Sequence, residues 1–275
     1  MKKVLFVFGT RPEAIKMAPV VKAFQANDGL EAKVCVTAQH REMLDQVLEL
    51  FKIEPDYDLN LMTSGQTLAE ISTKALNGTS EILREWKPDL VLVHGDTTTT
   101  AAAAMACFFQ RVPVGHVEAG LRTNNIWSPW PEEFNRRVTG LVSRLNFAPT
   151  AEAKANLLAE SVPEEWVDIT GNTVIDALLF ISDYIDNEAN IKSDLSKKFD
   201  FLDSRKKMLL VTGHRRENFG DGMKSICLSL LKLSQREDIE IVYPVHMNPN
   251  VRGPVETFLT NQPNIHLLAP QDYLS

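Results

Sequence analysis

The chain has 275 residues, of which 44% are hydrophobic and 24% charged, a composition typical of globular domains. Its formal net charge of −7 argues against a broad nucleic-acid-binding surface, but it allows a local cationic pocket for an anionic small molecule. No apolar run approaches the roughly 20 residues of a transmembrane helix. The apolar run at residues 4–8 is too short for the core of a signal peptide, so we expect a cytoplasmic protein without membrane contact.

Short apolar strands alternate with helices along the chain, which predicts parallel βαβ units and a doubly wound α/β sheet. In the first half, strands are predicted at residues 3–8, 31–37, 90–94, 114–117 and 145–149. The predicted helices of this half cover residues 12–24, 42–51, 67–86, 98–110, 132–143 and 151–160. The sequence therefore predicts a first Rossmann-like domain over residues 1–171.

The series begins again near Gly171, which predicts a second Rossmann-like domain over residues 172–275. Its predicted strands are residues 208–212, 239–245 and 265–268, its predicted helices are residues 174–184 and 223–235, and residues 187–207 form a polar surface connection. A weak repeat relates the halves, since residues 7–13 read VFGTRPE and residues 211–217 read VTGHRRE. Only three strands precede Ser275, so we expect the second domain to be incomplete at its carboxyl end.

Carboxylates follow several of the predicted strands, at the edge where open α/β sheets bind ligands. Asp96 follows the third strand and is either a site residue or a helix cap. Glu118 follows the fourth strand, where burial is costly unless the carboxylate is paired, and His116 is either a core histidine or a site residue. Glu132 and Glu133 open a helix, where favourable interaction with the helix dipole explains at least one of them.

Cationic side chains accompany glycine turns at the start of each half. Arg11 and Lys16 lie in the first turns of a helix after FGT, where an anion would be favoured, although they could also be solvated. His214, Arg215 and Arg216 follow Gly213 and form a phosphate-binding pattern. There is no GxGxxG, GxxxxGK[ST] or HExxH motif, so nicotinamide binding, P-loop hydrolysis and metal chemistry lack their usual support. The isolated cysteines, Cys35, Cys107 and Cys227, are expected in the core.

Eight motifs, in chain order, resemble those of the bacterial non-hydrolysing UDP-N-acetylglucosamine 2-epimerase family. They are FGTRPEAIKMAP, VTAQHREMLDQ, VLVHGDTTTT, PVGHVEAGLRT, SPWPEEFNRR, TGNTVIDAL, TGHRREN and YPVHMNPNVR. The resemblance implies two Rossmann-like domains of the glycosyltransferase-B type, usually in a homodimer. It also implies interconversion of UDP-N-acetylglucosamine and UDP-N-acetylmannosamine without a redox cofactor or a metal, supplying precursors of surface polysaccharides. The family's route eliminates UDP to give 2-acetamidoglucal and then adds UDP back.

The resemblance also implies roles for individual residues. The candidate acid/base and cation-stabilising carboxylates are Asp96, Glu118 and Glu132, and His214 would assist the departing phosphate. The substrate-binding candidates are Arg11, Lys16, Arg215 and Gln271. Family members of the bacterial type also bind UDP-N-acetylglucosamine as an allosteric activator, and the matching positions are Gln39, His40 and His246. Which carboxylate removes the C2 proton stays open.

Three alternatives accompany this interpretation. A retaining glycosyltransferase could use the same fold, and a hydrolysing epimerase would release free N-acetylmannosamine. The third alternative is an inactive or binding-only fragment, because the Ser-Gly-Gly loop and following Glu that hold the nucleotide in the family are absent before Ser275. On that ground we expect this chain to bind UDP-N-acetylglucosamine poorly and to turn it over slowly or not at all.

Overall fold

A computed structural model of the protein describes residues 1–38, 41–63, 65–213 and 218–275. The chain forms two compact units, Met1–Phe180 and Ile181–Ser275, and each is described by itself. The domain boundary at residue 171 stays a prediction. Within the described ranges, no helix has the length and apolar character needed to cross a membrane.

The first unit is built on a parallel sheet of seven strands in the order β3-β2-β1-β4-β5-β6-β7. The strands are β1 (Lys2–Phe8), β2 (Leu30–Val36), β3 (Tyr57–Asp58), β4 (Leu90–His94), β5 (Val114–Val117), β6 (Leu145–Ala148) and β7 (Val167–Ile169). The helices are α1 (Arg11–Gln25), α2 (Arg41–Leu50), α3 (Leu68–Trp86), α4 (Thr98–Phe109), α5 (Glu132–Val142), α6 (Ala151–Ala159) and α7 (Val174–Asn187), whose last turns belong to the second unit. The strand order reverses between β1 and β4, which is where doubly wound sheets place their ligand crevice.

Burial on both faces explains the apolar strands of this unit. Residues 4–8 of β1 are all buried, as expected for the centre of a parallel sheet that helices cover on both sides. The alanine-rich helix α4 is buried along most of its length, and its small side chains let it pack closely against α3 and the sheet. Cys35 and Cys107 lie in the same core and Cys227 is buried in the second unit, so the prediction for the cysteines is confirmed.

The second unit contains a parallel sheet of three strands in the order β10-β9-β8. Its elements are α8 (Ala189–Lys198), β8 (Lys207–Leu210), α9 (Asp221–Leu233), β9 (Ile239–Pro244), α10 (Pro249–Leu259) and β10 (Ile265–Leu268). Side chains of α9 and α10 pack with Ile239, Ile241 and Tyr243, which alternate along β9 and so share one face of the sheet.

The structure corrects the sequence-based element assignments in a few places. Residues 187–207 are not a plain connection, because they contain helix α8. Helix α10 was not predicted since Gly253 and Pro254 interrupt its pattern, although Pro249 at its first turn and Asn248 as its cap are favourable. The short strands β3 and β7 were also missed.

Candidate active site

Three loops at the carboxyl ends of neighbouring strands form the centre of the candidate site. They follow β1, β4 and β5 and carry residues 9–10, 95–97 and 118–120, respectively. Gly9 lets the first loop approach its neighbours, because a Cβ at this position would clash with the hydroxyls of Thr37 and Thr99. The sheet topology thus brings together segments that are far apart in sequence.

Glu13 connects two of these loops from the first turn of α1. One of its carboxylate oxygens accepts hydrogen bonds from the amides of Gly9 and Thr10, at 3.0 and 2.8 Å. The other accepts a hydrogen bond from the Thr97 hydroxyl at 2.7 Å and lies 3.0 Å from the Thr100 hydroxyl, which shares its single hydrogen with the carbonyl oxygen of His94 at 2.6 Å. The buried carboxylate of Glu13 therefore ties the loop after β1 to the loop after β4, which carries Asp96.

Asp96 lies in the loop after β4, and Thr97 caps α4, so the cap interpretation of Asp96 is wrong. Its carboxylate pairs with the buried guanidinium of Arg136 at 2.9 Å, and its carbonyl oxygen accepts a hydrogen bond from Asn135 Nδ2 at 2.9 Å. Burial raises the pKa of Asp96 to about 6, Arg136 opposes that rise, and the charges of Glu132, Glu118 and Glu13 add to it. A carboxyl group with such a pKa is suited to proton transfer near neutral pH.

Glu118 follows β5 with a backbone φ of +62°, in the left-handed region that non-glycine residues rarely adopt. Its Oε2 accepts hydrogen bonds from Lys16 Nζ at 2.6 Å and from Asn172 Nδ2 at 2.7 Å. The ring of His94 lies 3.8 Å from the same oxygen, but burial and the nearby Lys16 lower the pKa of His94 to about 3. Glu118 is therefore held by one cation and one neutral amide, and its burial is compensated.

His116 belongs to the support of the site. Its side chain is fully buried, and its Nε2 lies 2.7 Å from the carbonyl oxygen of Gly95. Burial lowers the pKa of His116 to about 4, so the neutral ring donates its Nε2 hydrogen to that carbonyl. Because Gly95 precedes Asp96 and has a φ of +64°, this bond fixes the turn that presents the carboxylate.

The two glutamates at the start of α5 have different surroundings. Glu133 is buried and accepts hydrogen bonds from Thr123 N and Arg137 Nε, both at 3.0 Å, which indicates a structural role. Glu132 is half-buried, and its Oε2 is buried without a hydrogen-bond partner among the described residues. Glu132 and Asp96 line a cavity of about 370 Å³. This cavity has an apolar wall formed by Met62, Leu68 and Ile71.

Arg11 opens α1 and is half-buried. Its guanidinium has no hydrogen bond or ion pair with the part of the chain that the structure describes, so it is available to an anion at the helix N-terminus. Lys16, one turn further along α1, reaches Glu118. The predicted cations and carboxylates of the first unit therefore converge on one edge of its sheet.

The remaining predicted site residues lie in the second unit or outside the described ranges. In the second unit, Gln271 Nε2 donates to the carbonyl of Ala269 at 2.6 Å, and its Oε1 is buried without a partner among the described residues. The exposed His246 accepts a hydrogen bond at Nδ1 from Asn248 N at 3.1 Å. The other predicted residues lie outside the described ranges; they are Gln39, His40, His214 and Arg215.

Several residues of the site had no role in the sequence-based prediction. Arg136, Asn135, Asn172, His94 and Glu13 all lie within the quoted motifs, but nothing in the sequence pairs them with particular carboxylates. One signal in the sequence could have indicated them. The motifs that flank the buried strands are rich in polar residues, and polar groups that become buried need hydrogen-bond partners.

Comparisons with known proteins identify the family. The family model for UDP-N-acetylglucosamine 2-epimerase matches residues 22–275. The chain is 58% identical to the UDP-N-acetylglucosamine 2-epimerase of Escherichia coli K12 and 56% identical to that of Yersinia pestis. Each of these alignments covers 99% of this chain and 73% of the relative.

Solved structures give the same result. The UDP-GlcNAc 2-epimerase of Neisseria meningitidis, whose crystal structure has UDP-GlcNAc bound, superposes with a TM-score of 0.91 at 53% identity. That match covers 99% of this chain and 73% of the structure. The Methanocaldococcus jannaschii enzyme in complex with UDP-GlcNAc and UDP matches all of this chain and 75% of the structure, with a TM-score of 0.78 at 30% identity. The predicted α/β fold of the glycosyltransferase-B type is confirmed, and this chain belongs to the UDP-N-acetylglucosamine 2-epimerase family.

Proposed function

We propose that this protein interconverts UDP-N-acetylglucosamine and UDP-N-acetylmannosamine by inverting the configuration at C2. The observation that carries the proposal is the convergence of Asp96, Glu118 and Lys16 at the carboxyl edge of the sheet, with Glu132 lining the adjoining cavity. Relatives at 53% and 30% identity have been solved with UDP-GlcNAc bound. The activity would supply surface polysaccharide precursors in the cytoplasm.

The chemistry requires a route around the weak acidity of the C2 hydrogen. In the proposed first step, the C1–O bond breaks and its electron pair leaves with UDP. A carboxylate takes the C2 proton, and the electrons of the C–H bond form the C1=C2 double bond of 2-acetamidoglucal. In the second step an oxygen of UDP adds to C1 while an acid delivers a proton to the opposite face of C2.

The residues of the site match these tasks. Proton removal and delivery on opposite faces need two acid/base groups, which Asp96, Glu118 and Glu132 can supply. Positive charge develops at C1 during cleavage, and the same carboxylates can stabilise it. Arg11 and Lys16 at the start of α1 would bind the diphosphate, and His214, Arg215 and Gln271 are assigned to the leaving group and nucleotide from the resemblance alone.

Exchange of the C2 hydrogen with solvent tests this proposal. We expect that UDP-N-acetylglucosamine incubated with the protein in deuterium oxide incorporates deuterium at C2 and yields the manno epimer, measured by proton NMR. Transfer of sugar only when an acceptor is added would support the retaining glycosyltransferase instead. Release of free N-acetylmannosamine would indicate the hydrolysing epimerase, and UDP binding without exchange would indicate a binding-only protein.

The allosteric assignment is a second part of the proposal. It places an activating UDP-N-acetylglucosamine at Gln39, His40 and His246, and it rests on the family resemblance. The reverse reaction tests it, since UDP-N-acetylmannosamine alone should react slowly until a trace of UDP-N-acetylglucosamine is added. A linear progress curve without that trace would contradict regulation of this kind.

A homodimer is the third part. Phe108 and Phe109 at the end of α4 and Leu141 on α5 are large apolar side chains that are mostly exposed, and α4 packs against α5. Exposed apolar side chains on two adjacent helices are typical of an interface, and a second copy of the chain is the partner we propose. Sedimentation analysis should give a dimer, and Leu141→Asp should shift it towards the monomer.

A further inference from the structure

Asn172 uses both ends of its side-chain amide. It follows β7 and Gly171 and precedes helix α7. Its Oδ1 accepts a hydrogen bond from Val174 N at 3.0 Å, while its Nδ2 donates to Glu118 Oε2 at 2.7 Å. The orientation of the amide is unambiguous, because a backbone N–H can only donate and a carboxylate can only accept. The start of α7 therefore points Nδ2 at Glu118.

Glu118 needs such a partner. The backbone of Glu118 has a left-handed φ, and its side chain is almost fully buried. The groups that face it are Lys16 from α1, the neutral ring of His94 from β4, and Asn172 from the loop after β7. Only Lys16 among these carries a charge, and an ammonium on a flexible stem does not by itself fix the direction of a carboxylate.

The two donors respond differently to an anionic ligand. A diphosphate near the start of α1 would attract Lys16 and weaken its hold on Glu118. A neutral amide is not drawn away by that charge, and it orients the carboxylate without neutralising it. Both donors use Oε2, and Oε1 accepts no hydrogen bond from the described residues.

We propose that Asn172 is a positioning residue for the epimerisation, holding Oε2 of Glu118 so that Oε1 is left for the substrate. The proposal rests on the proposed function and names a further residue of the same site. Removing the amide should leave substrate binding largely intact and slow the chemical step. Displacing a catalytic group by about 1 Å can lower the rate roughly 100-fold.

Asn172→Asp isolates the contact. The aspartate keeps an oxygen for Val174 N, because Asp accepts such a turn hydrogen bond two residues on as Asn does. It places a second carboxylate where the donor to Glu118 was, so the two should repel. Asn172→Ser also keeps an oxygen that can accept from Val174 N, and it removes the amide donor without adding charge. Asn27→Asp is the matched control, because Asn27 Oδ1 accepts a hydrogen bond from Gly29 N two residues on, at the opposite edge of the sheet.

Steady-state kinetics give the first measurement. We expect kcat to fall about 100-fold in Asn172→Asp and about 10-fold in Asn172→Ser, with KM within about twofold of wild type. Asn27→Asp should match wild type, and all three should unfold within a few degrees of it. A normal kcat in Asn172→Asp, or a change confined to KM, overturns the proposal.

Crystal structures of wild type and Asn172→Asp give a measurement that does not depend on turnover. We expect the Glu118 carboxylate to move more than about 3.5 Å from residue 172, beyond hydrogen-bond distance. A carboxylate that stays in place overturns the proposal, whatever the kinetics. If the wild-type protein shows no C2 exchange, the proposed function fails, and the structures still decide whether Asn172 positions Glu118.

Discussion

The sheets of the two units differ in what covers them. In the first unit, residues 4–8 of β1 are buried on both faces, and the polar groups collect at the carboxyl edge, where they are paired. In the second unit, all four residues of β8 are exposed, with Met208 and Leu210 more than half exposed. The first unit therefore combines a closed core with a charged site. The second unit leaves apolar side chains of its edge strand β8 exposed, although Glu240 and Val242 beside them on β9 are buried.

The largest effects should come from the carboxylates of the first unit. Asp96→Asn, Glu118→Gln and Glu132→Gln should each lower turnover by about 10²–10⁴, the usual range for loss of an acid/base group. The measurement is the rate of C2 deuterium exchange. Glu152→Gln, on the exposed face of α6, is the matched control and should behave as wild type. Near-normal exchange in all three variants would remove these residues from the mechanism.

Arg136 should set the pH range of Asp96. Its guanidinium favours the ionised carboxylate, so Arg136→Met should raise the pKa of Asp96 above its value of about 6. Asp96 would then stay protonated to higher pH, and the limb of the rate profile that it controls should move towards alkaline pH. The measurement is kcat/KM from pH 5 to 9, and Arg137→Met, which removes a partner of Glu133, is the control. An unmoved profile in Arg136→Met would show that Asp96 does not control the rate.

Glu13 should matter for stability as well as for the site. Glu13→Gln replaces a carboxylate that accepts three hydrogen bonds and shares the hydrogen of the Thr100 hydroxyl, and the new NH₂ group would face donors on either side. We expect the free energy of unfolding of the first unit to fall by about 3 kcal/mol in urea titrations. Glu70 completes a similar capping box at α3 but is exposed, so Glu70→Gln should cost clearly less. Equal losses would show that the burial of Glu13 does not matter.

The sequence predicts most of the elements and the location of the site, but not the contacts between the side chains of the site. Strand and helix order follow from the apolar pattern and from cap residues such as Thr97, and β4 and β5 begin and end where predicted. The convergence of Asp96, Glu118 and Lys16 follows from the rule that parallel strands share one carboxyl edge. The sequence does not predict the partners of these residues. Asp96 pairs with Arg136, and Glu118 with Asn172, because of side-chain directions that exist only in the folded state.

Helices α8 and α10 show the other limit. The sequence of α8 is polar and nearly all its residues are exposed, so it lacks the apolar stripe by which a helix is recognised. Helix α10 has Gly253 and Pro254 in its middle, yet it buries Val251, Val255 and Leu259 against the sheet. Tertiary packing outweighs the local preference there.

Hydrogen exchange should resolve the difference between the two sheets. Amides of β8 belong to an edge strand with exposed side chains, so they should exchange through local opening well before those of β1 and β4. Mass spectrometry of peptides covering residues 207–210 and 90–94 measures this directly. Equal protection of the two strands would mean that β8 is covered in solution, for instance by self-association.

The smallest effect concerns that association. In the register of β8 with β9, Met208 lies beside Glu240 and Leu210 beside Val242, so the exposed side chains share the face opposite to α9 and α10. An apolar face on an edge strand favours pairing with other copies, and two lysines should oppose it. The double variant Met208→Lys, Leu210→Lys should therefore reduce the large associated species seen in sedimentation velocity at high protein concentration. A control with Leu228→Lys and Leu233→Lys changes two partly exposed leucines of α9 and should leave those species unchanged. If both double variants reduce them equally, added charge is the cause, and the β8 face has no special role.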